Sequence, residues 1–557
     1  MSSCIYYHPE GYSTKSERLM GRHAAGESFI RGYFEYASFD QGLWAECSHQ
    51  DHFKDFCDRA RQMGREEEIR WIHSGNLEAL QQPGVLYIPG PVLGEQAVRR
   101  RHHGDLSWSL CGVTHTTSSA QSMDAIGNLL LAPIQPWDAL ICPSTAVKKN
   151  AEVILQAKAE YLKERLGASK FVLPKMPVIP LGIHCDDFSF SEDERARFRS
   201  QLNADSNSVI VLYVGRLSFH AKAHPLSMYQ ALESVAADTD KEIILIECGW
   251  HANEHIAKAF SDAADTACPS VKVITLDGRN EENRRLAWGC ADIFCSLSDN
   301  IQETFGIVPI EAMASGLPVV VSDWDGYRDS VREGTDGFRV PTVAPAAHLA
   351  GDLAVRHSLG VDTYDMYCGH SSSLVGMHAQ KLHEAFSALV ESPELRKTMG
   401  DNGRKRARSE FDWQHIIHRY EELWKELGEI RSRASRDKQR PINYLWAERL
   451  DPTISFGHYP SSVLGPETLL TFTKDSLESA LSEFSQLTAL KMVNYAEYVF
   501  PTREEITMIF ERALELKSAG EPTVASGRLV EGINADRRPY CLRSLAWLIK
   551  LGFFLFE

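Results

Sequence analysis

The sequence lacks the cysteine patterns that mark metal centres and disulfide frameworks. Its twelve cysteines are scattered through 557 residues, with no C-x-x-C pair and no Cys/His spacing of the kind that binds zinc. Several stand in apolar runs, namely Cys111, Cys142, Cys248 and Cys295. We therefore expect reduced thiols in the core of a cytoplasmic protein, and we expect neither disulfides nor cysteine-bound metal.

Long apolar runs and targeting patterns are also missing. No stretch reaches the roughly 18 apolar residues that a membrane-spanning helix needs, and the opening residues lack the charged-then-apolar pattern of a signal peptide. The nearest candidate, LRSLAWLIKLGFFLFE, is interrupted by Arg543 and Lys550. Two interpretations of that segment stay open, burial in a small terminal domain and contact with a membrane surface.

Positive charge is in short supply as well. The 75 acidic residues outnumber the 59 lysines and arginines, which leaves a formal net charge of −16. Because nucleic acids and anionic membranes attract basic surfaces, this balance disfavours both as general partners. Peripheral membrane contact stays open through the terminal apolar segment.

The chain does contain an alternation of strand-like and helix-like segments, twice over. The first half has candidate strands at 3–7, 84–89, 108–114 and 139–144. The second, cleaner series has candidate strands at 209–214, 242–247, 271–276 and 292–296. Such alternation predicts α/β domains with doubly wound sheets.

The length and one linker-like segment predict the domain boundaries. A chain of 557 residues is too long for one core and fits two domains plus an appendage. Residues 178–188, which follow Pro177 directly and contain Pro180 and Gly182, are interpreted as a linker. We therefore predict an N-terminal domain at 1–187, a second domain at 188–430 and an appendage at 431–557, which is either helical or similar to a winged helix.

The most informative segment is SDNIQETFGIVPIEAMASGLPVVV, which begins at Ser298. Glu303 and Glu311 stand eight positions apart where a loop enters a short helix, and Gly316 with Pro318 ends that helix. The apolar run that follows predicts a buried strand. Both acids then lie at the carboxyl edge of a parallel sheet, where α/β proteins bind ligands. Ionised acids at this edge suit a hydroxyl-rich ligand, because each accepts several hydrogen bonds.

Two cations follow the first strand of the second series. Arg216 comes directly after Val214-Gly215, and Lys222 stands six positions later near the start of the next helix. A guanidinium fork and an ammonium group aimed at one crevice suit a diphosphate. A solvated basic pair at the start of a helix is the alternative interpretation of these two residues alone.

These residues together resemble the signature of a known enzyme family. Glu303-x7-Glu311, with Phe305-Gly306 and the string Glu-Ala-Met-Ala inside it, is similar to family 4 retaining glycosyltransferases of the GT-B fold. The resemblance implies two doubly wound Rossmann-like domains that face a cleft, with the mostly helical appendage added. It implies transfer of a sugar from a UDP- or GDP-sugar to an acceptor hydroxyl by a same-face mechanism, with no cofactor and no metal.

The resemblance also implies roles for particular residues. Arg216 and Lys222 would neutralise the diphosphate, Glu303 and His115 would hold the sugar, and Glu311 would hold the nucleotide ribose. Further donor contacts are implied near Phe305, Gly306, Gly278 and Gly26. The helix that opens near Gly306 would add its positive dipole end.

Several of these residues also have a purely structural interpretation. His115 follows an apolar strand and serves either structure or the donor sugar. Glu311 also fits as an acid that complements a helix dipole. Gly26 lies in a predicted loop, 21–27, that is either a phosphate-contacting loop or a plain strand-to-helix turn.

Other functions of the whole chain also stay open. A non-catalytic nucleotide-sugar sensor whose appendage binds a partner is one alternative, and a sugar epimerase or phosphorylase is another. The acceptor is left open between a saccharide, a lipid-linked glycan and a small molecule.

Overall fold

The computed structural model describes residues 3–13, 21–39, 42–434 and 446–557, with only the backbone described for 21–23. The described chain forms two compact units. The first ends before residue 435 and contains two parallel sheets, and the second covers Trp446–Glu557.

The first sheet lies in the N-terminal part of the first unit. Its strands are β1 (Cys4–Tyr6), β2 (Leu43–Cys47), β3 (Ile69–His73), β4 (Val85–Ile88), β5 (Ser109–Val113) and β6 (Ala139–Ile141). Its helices are α1 (Gly21–Tyr36), α2 (Gln50–Gln62), α3 (Leu93–Arg101), α4 (Ala120–Asn128) and α5 (Thr145–Leu166). All pairings are parallel, in the order β3-β2-β1-β4-β5-β6.

The predicted strands of this region are confirmed for β1, β4, β5 and β6, whereas β2 and β3 were not predicted. Polar residues hide both from a search for apolar runs. Glu46 stands inside β2, and β3 alternates apolar residues with Arg70 and His73 because it is the edge strand.

The second sheet repeats this architecture. Its strands are β7 (Ser208–Val214), β8 (Glu242–Gly249), β9 (Lys272–Asp277), β10 (Ile293–Ser296), β11 (Val319–Ser322) and β12 (Gly337–Val340). Its helices include α6 (Glu192–Gln201), α7 (Leu226–Asp238), α8 (Glu254–Ala267), α9 (Glu281–Cys290), α10 (Ile307–Ala314) and α11 (Tyr327–Ser330). The strands are parallel, in the order β12-β11-β10-β7-β8-β9.

The two sheets share one topology. When each sheet's strands are numbered from its own first strand, both have the order 3-2-1-4-5-6. The direction in which successive strands are added to the sheet therefore reverses between β1 and β4 in one sheet and between β7 and β10 in the other. In such sheets the ligand crevice opens outside the carboxyl ends of the strands at this switch point.

An insertion follows β12 before the sheet's last helices. Its elements are β13 (Thr342–Val343), α12 (Gly351–Ser358), α13 (Tyr364–Ser372) and β14 (Gly376–Met377). Since β13 and β14 pair antiparallel, they close the base of the loop that carries α12 and α13. We call residues 344–375 the α12–α13 insertion.

The last helix of the first unit returns to the first sheet. The helices here are α14 (Ala379–Glu391), α15 (Pro393–Arg406) and α16 (Trp413–Arg433). Apolar residues of α16 at helical spacing, among them Trp413, Tyr420 and Trp424, are buried in the core that contains Phe29 of α1. Trp413 Nε1 also donates to Ser28 Oγ at 2.7 Å. This helix, which follows the second sheet in the chain, therefore packs on the first sheet.

The second unit has its own small core. Its helices are α17 (Pro452–Ser455), α18 (Leu477–Thr488), α19 (Lys491–Asn494), α20 (Arg503–Ser518), α21 (Ser526–Leu529) and α22 (Arg538–Lys550). Its strands β15 (Leu469–Phe472), β16 (Thr523–Ala525) and β17 (Phe554–Phe556) form an antiparallel sheet in the order β16-β15-β17. Leu545, Leu548, Phe553 and Phe554 of the terminal apolar segment are buried in this core, as the burial interpretation predicts.

The fold prediction, two doubly wound Rossmann-like domains with a mostly helical appendage, is confirmed. The boundaries at 187 and 430 stay predictions. All twelve cysteines lie in the described ranges, where eleven are buried and none is bonded to another. Within those same ranges, no helix combines the length and the apolar character that crossing a bilayer requires.

Candidate functional site

A carboxylate and an ammonium group meet at the carboxyl edge of the second sheet. Lys222 lies in the loop between β7 and α7, and Glu303 lies in the loop between β10 and α10. Lys222 Nζ is 2.5 Å from Glu303 Oε2. Burial by itself would raise the pKa of Glu303, but the charge and hydrogen bond of Lys222 outweigh burial and lower that pKa. Glu303 is therefore ionised at neutral pH, at the switch point between β7 and β10.

Arg216 joins the same two loops. Its Nη2 donates to Gln302 Oε1 at 2.9 Å and to the carbonyl of Ala221 at 3.0 Å. Arg216 and Lys222 therefore reach two consecutive residues of the β10–α10 loop, Gln302 and Glu303. The predicted convergence of the two cations on the acid loop is present in the structure.

Glu311 lies on the second turn of α10 and is half-buried. Burial raises the pKa of its carboxyl to about 7, although the charge of Arg284 acts in the opposite direction. Across the part of the chain that the structure describes, its carboxylate forms no hydrogen bond. A carboxylate without a protein partner is available to a ligand hydroxyl.

The backbone at the start of α10 shapes the loop that carries Glu303. Gly306 precedes the helix with φ of +76°, and a Cβ there would lie 1.9 Å from the ring of Tyr327. Only glycine fits both requirements. Phe305 is 1% exposed and packs near Phe411, so its side chain is a core group, and its backbone N–H reaches the Glu303 carboxylate.

The other predicted glycine contacts have different environments. Gly278 follows β9, its N–H donates to the carbonyl of Gly249 at 2.9 Å, and its carbonyl accepts from Arg284 Nη1 at 2.8 Å. Its backbone is therefore already hydrogen-bonded within the protein. Its contact with a nucleotide base stays a prediction.

The prediction that Gly26 lies in a loop is wrong. Residues 21–27 belong to α1, which begins at Gly21, and the chain just before it, 14–20, lies outside the described residues. A Cβ at Gly26 would lie 2.0 Å from the carbonyl oxygen of Gly11. The glycine is therefore explained by close packing of α1 against the segment after β1. The sequence pattern did not separate this packing glycine from a loop glycine.

His115 lies across from Glu303, in the loop between β5 and α4. Its carbonyl accepts a hydrogen bond from Thr304 Oγ1 at 3.2 Å. The loops after β5 and β10 belong to different sheets, so this contact shows that their carboxyl edges face one another. His115 therefore contacts Thr304, the residue that follows Glu303 in the sequence. Contact of its ring with a sugar stays a prediction.

Two residues that the sequence analysis did not assign to the site also lie there. Ser144 Oγ, at the start of α5, donates to the carbonyl of Thr304 at 2.7 Å and lies 3.2 Å from Asp325 Oδ1. Burial and the charge of Glu303 raise the pKa of Asp325 to about 8. The available signal was Asp325-Gly326, which follows the predicted strand after Pro318, at the same sheet edge as Glu303.

Comparison with known proteins identifies part of the chain. Residues 194–354 match the family described as glycosyl transferases group 1. The matched segment contains Arg216, Lys222, Glu303 and Glu311. This segment of the chain is thus similar to group 1 glycosyl transferases, which agrees with the resemblance inferred from the sequence.

Individual relatives match over shorter stretches. D-inositol 3-phosphate glycosyltransferase of Corynebacterium kroppenstedtii is 26% identical over 272 residues, which cover 47% of this chain and 59% of the relative. The enzyme of the same name from Nocardia farcinica is 28% identical over 185 residues, 33% of this chain and 39% of the relative. The chain therefore spans less than two thirds of the length of these relatives. Among solved structures, Anabaena HepE in complex with UDP aligns with a TM-score of 0.49 and 15% identity, over 76% of this chain and all of that one.

Proposed function

We propose that the protein is a retaining glycosyltransferase that moves a sugar from a nucleoside-diphosphate sugar to an acceptor hydroxyl. The observation that carries this proposal is the meeting of Arg216 and Lys222 with the loop of Glu303, at the switch point of the second sheet. Two cations suit the diphosphate, and an ionised acid beside them suits sugar hydroxyls. The matched domain, 194–354, supports the same class of reaction.

The proposed reaction exchanges one bond at the anomeric carbon for another on the same face. The bond from that carbon to the diphosphate oxygen breaks, and a bond to the acceptor oxygen forms. The acceptor's proton passes to the departing phosphate oxygen. Because negative charge builds up on that phosphate, Arg216 and Lys222 would stabilise the transition state, and a single preplaced donor contributes ~3 kcal/mol in comparable sites.

The remaining site residues would hold the donor. Glu303 would accept hydrogen bonds from the sugar, and His115 would approach it from the first sheet. Glu311, whose carboxylate has no hydrogen bond within the described chain, would accept from the ribose. The start of α10 at Gly306 adds the positive end of a helix dipole near the phosphates.

Two cationic side chains make a divalent metal unnecessary in this proposal. Arg216 and Lys222 would carry the charge compensation that Mg²⁺ supplies in other phosphate sites. We therefore expect transfer activity to persist in excess EDTA. Loss of activity in EDTA, restored by Mg²⁺ or Mn²⁺, would contradict the metal-independent form of the proposal.

The experiment that tests the function is turnover of a panel of UDP- and GDP-sugars, with monosaccharides, lipid-linked glycans and small polyols as acceptors. Arg216→Ala is expected to lower kcat by about 100-fold or more, in the range for a lost transition-state donor. Glu303→Gln, which removes the charge of the acceptor for the sugar hydroxyls, is also expected to lower kcat. Glu384→Gln and Lys258→Ala, which change exposed ion pairs on α14 and α8, are the matched controls.

The anomeric configuration of the product, read by NMR, tests retention separately. Tight binding of a nucleotide sugar without turnover on any acceptor would overturn the enzyme proposal in favour of a sensor. Interconversion of free nucleotide sugars without transfer would identify an epimerase.

A further inference from the structure

The α12–α13 insertion places a tyrosine hydroxyl between the two sheets. Tyr364, the first residue of α13, has its hydroxyl oxygen 3.0 Å from Ser118 Oγ and 3.4 Å from Thr116 Oγ1. Both of these residues lie in the loop after β5. The same hydroxyl accepts from Gln302 Nε2 at 3.1 Å. One side chain of the insertion thus contacts the facing loops of both sheets.

Gln302 connects this hydroxyl to Arg216, the cation that is proposed to bind the diphosphate. Arginine can only donate hydrogen bonds, so the Gln302 oxygen must face Arg216 Nη2, at 2.9 Å. The amide nitrogen of Gln302 must then point the other way, toward Tyr364. Because the tyrosine hydroxyl accepts from this nitrogen, its own proton is directed to Ser118 or Thr116. The four groups form one hydrogen-bonded chain with a defined direction.

The insertion holds the hydroxyl rigidly. Thr363 caps α13 through a hydrogen bond from the Met366 N–H to its Oγ1, and Arg356 of α12 grips Asp362 at 2.7 and 3.0 Å. Gly369 of α13 packs against His220, which precedes Lys222 by two residues. Burial raises the pKa of Tyr364, so the hydroxyl stays neutral and can both donate and accept.

We propose that Tyr364 is a positioning residue that orients Arg216 through Gln302 and couples this orientation to contact with the first-domain loop 114–118. The inference rests on the proposed function, because Arg216 is taken to grip the donor diphosphate. Without the hydroxyl, the Gln302 amide loses the partner that fixes its orientation. Arg216 then samples other positions, and the two facing loops lose a direct link. Water would enter the cleft more readily, so hydrolysis of the donor would compete with transfer.

The test compares Tyr364→Phe with Tyr367→Phe. Tyr367 lies on the same helix and stacks on His357 at 4.2 Å between ring centroids, and its hydroxyl forms no hydrogen bond with the described residues. For Tyr364→Phe we expect ~5-fold weaker binding of UDP or GDP by calorimetry, the scale of one lost hydrogen bond. We also expect a lower kcat, a higher KM for the donor and a higher ratio of hydrolysis to transfer. Tyr367→Phe should match the wild type in all four.

Hydrogen exchange supplies a readout that does not depend on turnover. Amides in 114–119 and 300–304 should exchange faster in Tyr364→Phe than in Tyr367→Phe, at equal melting temperature. Unchanged exchange together with unchanged nucleotide affinity would overturn the coupling. A wild-type protein that turns over no nucleotide sugar would instead refute the proposed function, while exchange and nucleotide affinity would still decide the role of Tyr364.

Discussion

Lys222 and Glu303 neutralise each other, with 2.5 Å between Nζ and Oε2. Their side chains are only 27% and 10% exposed, so water screens the pair weakly. The charge of each side chain is therefore compensated by the other. In the proposed function, a nucleotide sugar would offer Lys222 a phosphate and Glu303 a hydroxyl, so the pair would serve both as a stabilising contact and as a binding site.

Lys222→Met should reveal this dependence through the pH profile of stability. The wild-type pKa of Glu303 is lowered in the folded state, so its stabilising contribution is present above its unfolded pKa and is lost as pH falls through the folded pKa. The variant leaves a buried carboxylate without its cation. We therefore expect the variant's melting temperature to fall below wild type at pH 7, with a gap that narrows as pH falls toward the unfolded pKa of ~4.3 and closes only below it, where pH passes the lowered pKa of wild-type Glu303.

Differential scanning fluorimetry across pH 4 to 8 checks this expectation. Lys258→Met, which removes an exposed ion pair with Asp262, should show a small difference at every pH. A pH-independent loss in Lys222→Met would contradict the argument.

Glu311→Gln should change the melting temperature in the opposite direction, with a gain at high pH instead of a loss. Burial raises the folded pKa of Glu311 to about 7, so the folded state holds a proton that the unfolded state releases at lower pH. Its contribution to stability is then full below the unfolded pKa and is lost as pH rises toward 7. The glutamine variant removes this loss. We expect Glu311→Gln to gain melting temperature relative to wild type at pH 8 and little at pH 4.

Nucleotide affinity adds a second measurement on the same variant. Because the ionised carboxylate is the better acceptor for ribose hydroxyls, wild-type affinity should rise between pH 6 and 8, and that rise should vanish in Glu311→Gln. A pH-dependent affinity retained in the variant would assign the titration to another group.

Arg100→Met should destabilise the first sheet severely. Arg100 and Asp138 are both fully buried, and the guanidinium donates to the two carboxylate oxygens at 2.5 and 2.9 Å. Removing one partner leaves the other charge buried and unpaired, which lowers the free energy of unfolding by roughly 3–5 kcal/mol. Urea unfolding should show that loss in its midpoint. A double variant, Arg100→Met with Asp138→Leu, should recover part of it, and a double variant less stable than the single one would contradict the buried-charge explanation.

Gly182→Ala should disturb the junction between the sheets. A Cβ at Gly182 would lie 2.5 Å from the ring of Trp413, which begins α16. Overpacking of this kind costs about 1–3 kcal/mol. Gly127→Ala on α4 is the matched control, because its nearest neighbour would be 3.8 Å away, and it should be neutral or slightly stabilising. Equal unfolding midpoints for the two variants would show that the ring of Trp413 yields without cost.

Much of the second sheet could be predicted from the local pattern of apolar and turn residues in the sequence. Its strands are short apolar runs followed by turn residues; Arg216 lies two positions after β7, and Glu303 lies in the loop that follows β10. A residue placed after a parallel strand must lie at the carboxyl edge, so their convergence followed from topology alone. The first sheet was less accessible, because Glu46 and Arg70 interrupt the apolar runs of β2 and β3.

Other features needed packing information. Gly26 was assigned to a loop because glycine is frequent there, whereas its real constraint is the carbonyl of Gly11 at 2.0 Å from a would-be Cβ. Tyr364 gave no signal, since nothing in its neighbourhood indicates a partner 246 residues away. Ser144 caps α5, a local role, but its hydrogen bond to the carbonyl of Thr304 spans 160 residues.

The amino-acid order alone determined two α/β sheets and the charges at the ends of their strands, because hydrophobic period and turn residues act over a few neighbouring positions. The folded chain decided which distant groups touch: the glutamine between Arg216 and Tyr364, the serine beside Asp325 and the tryptophan that fills the space at Gly182. Such contacts depend on how whole layers pack, and short-range spacing carries no record of that packing.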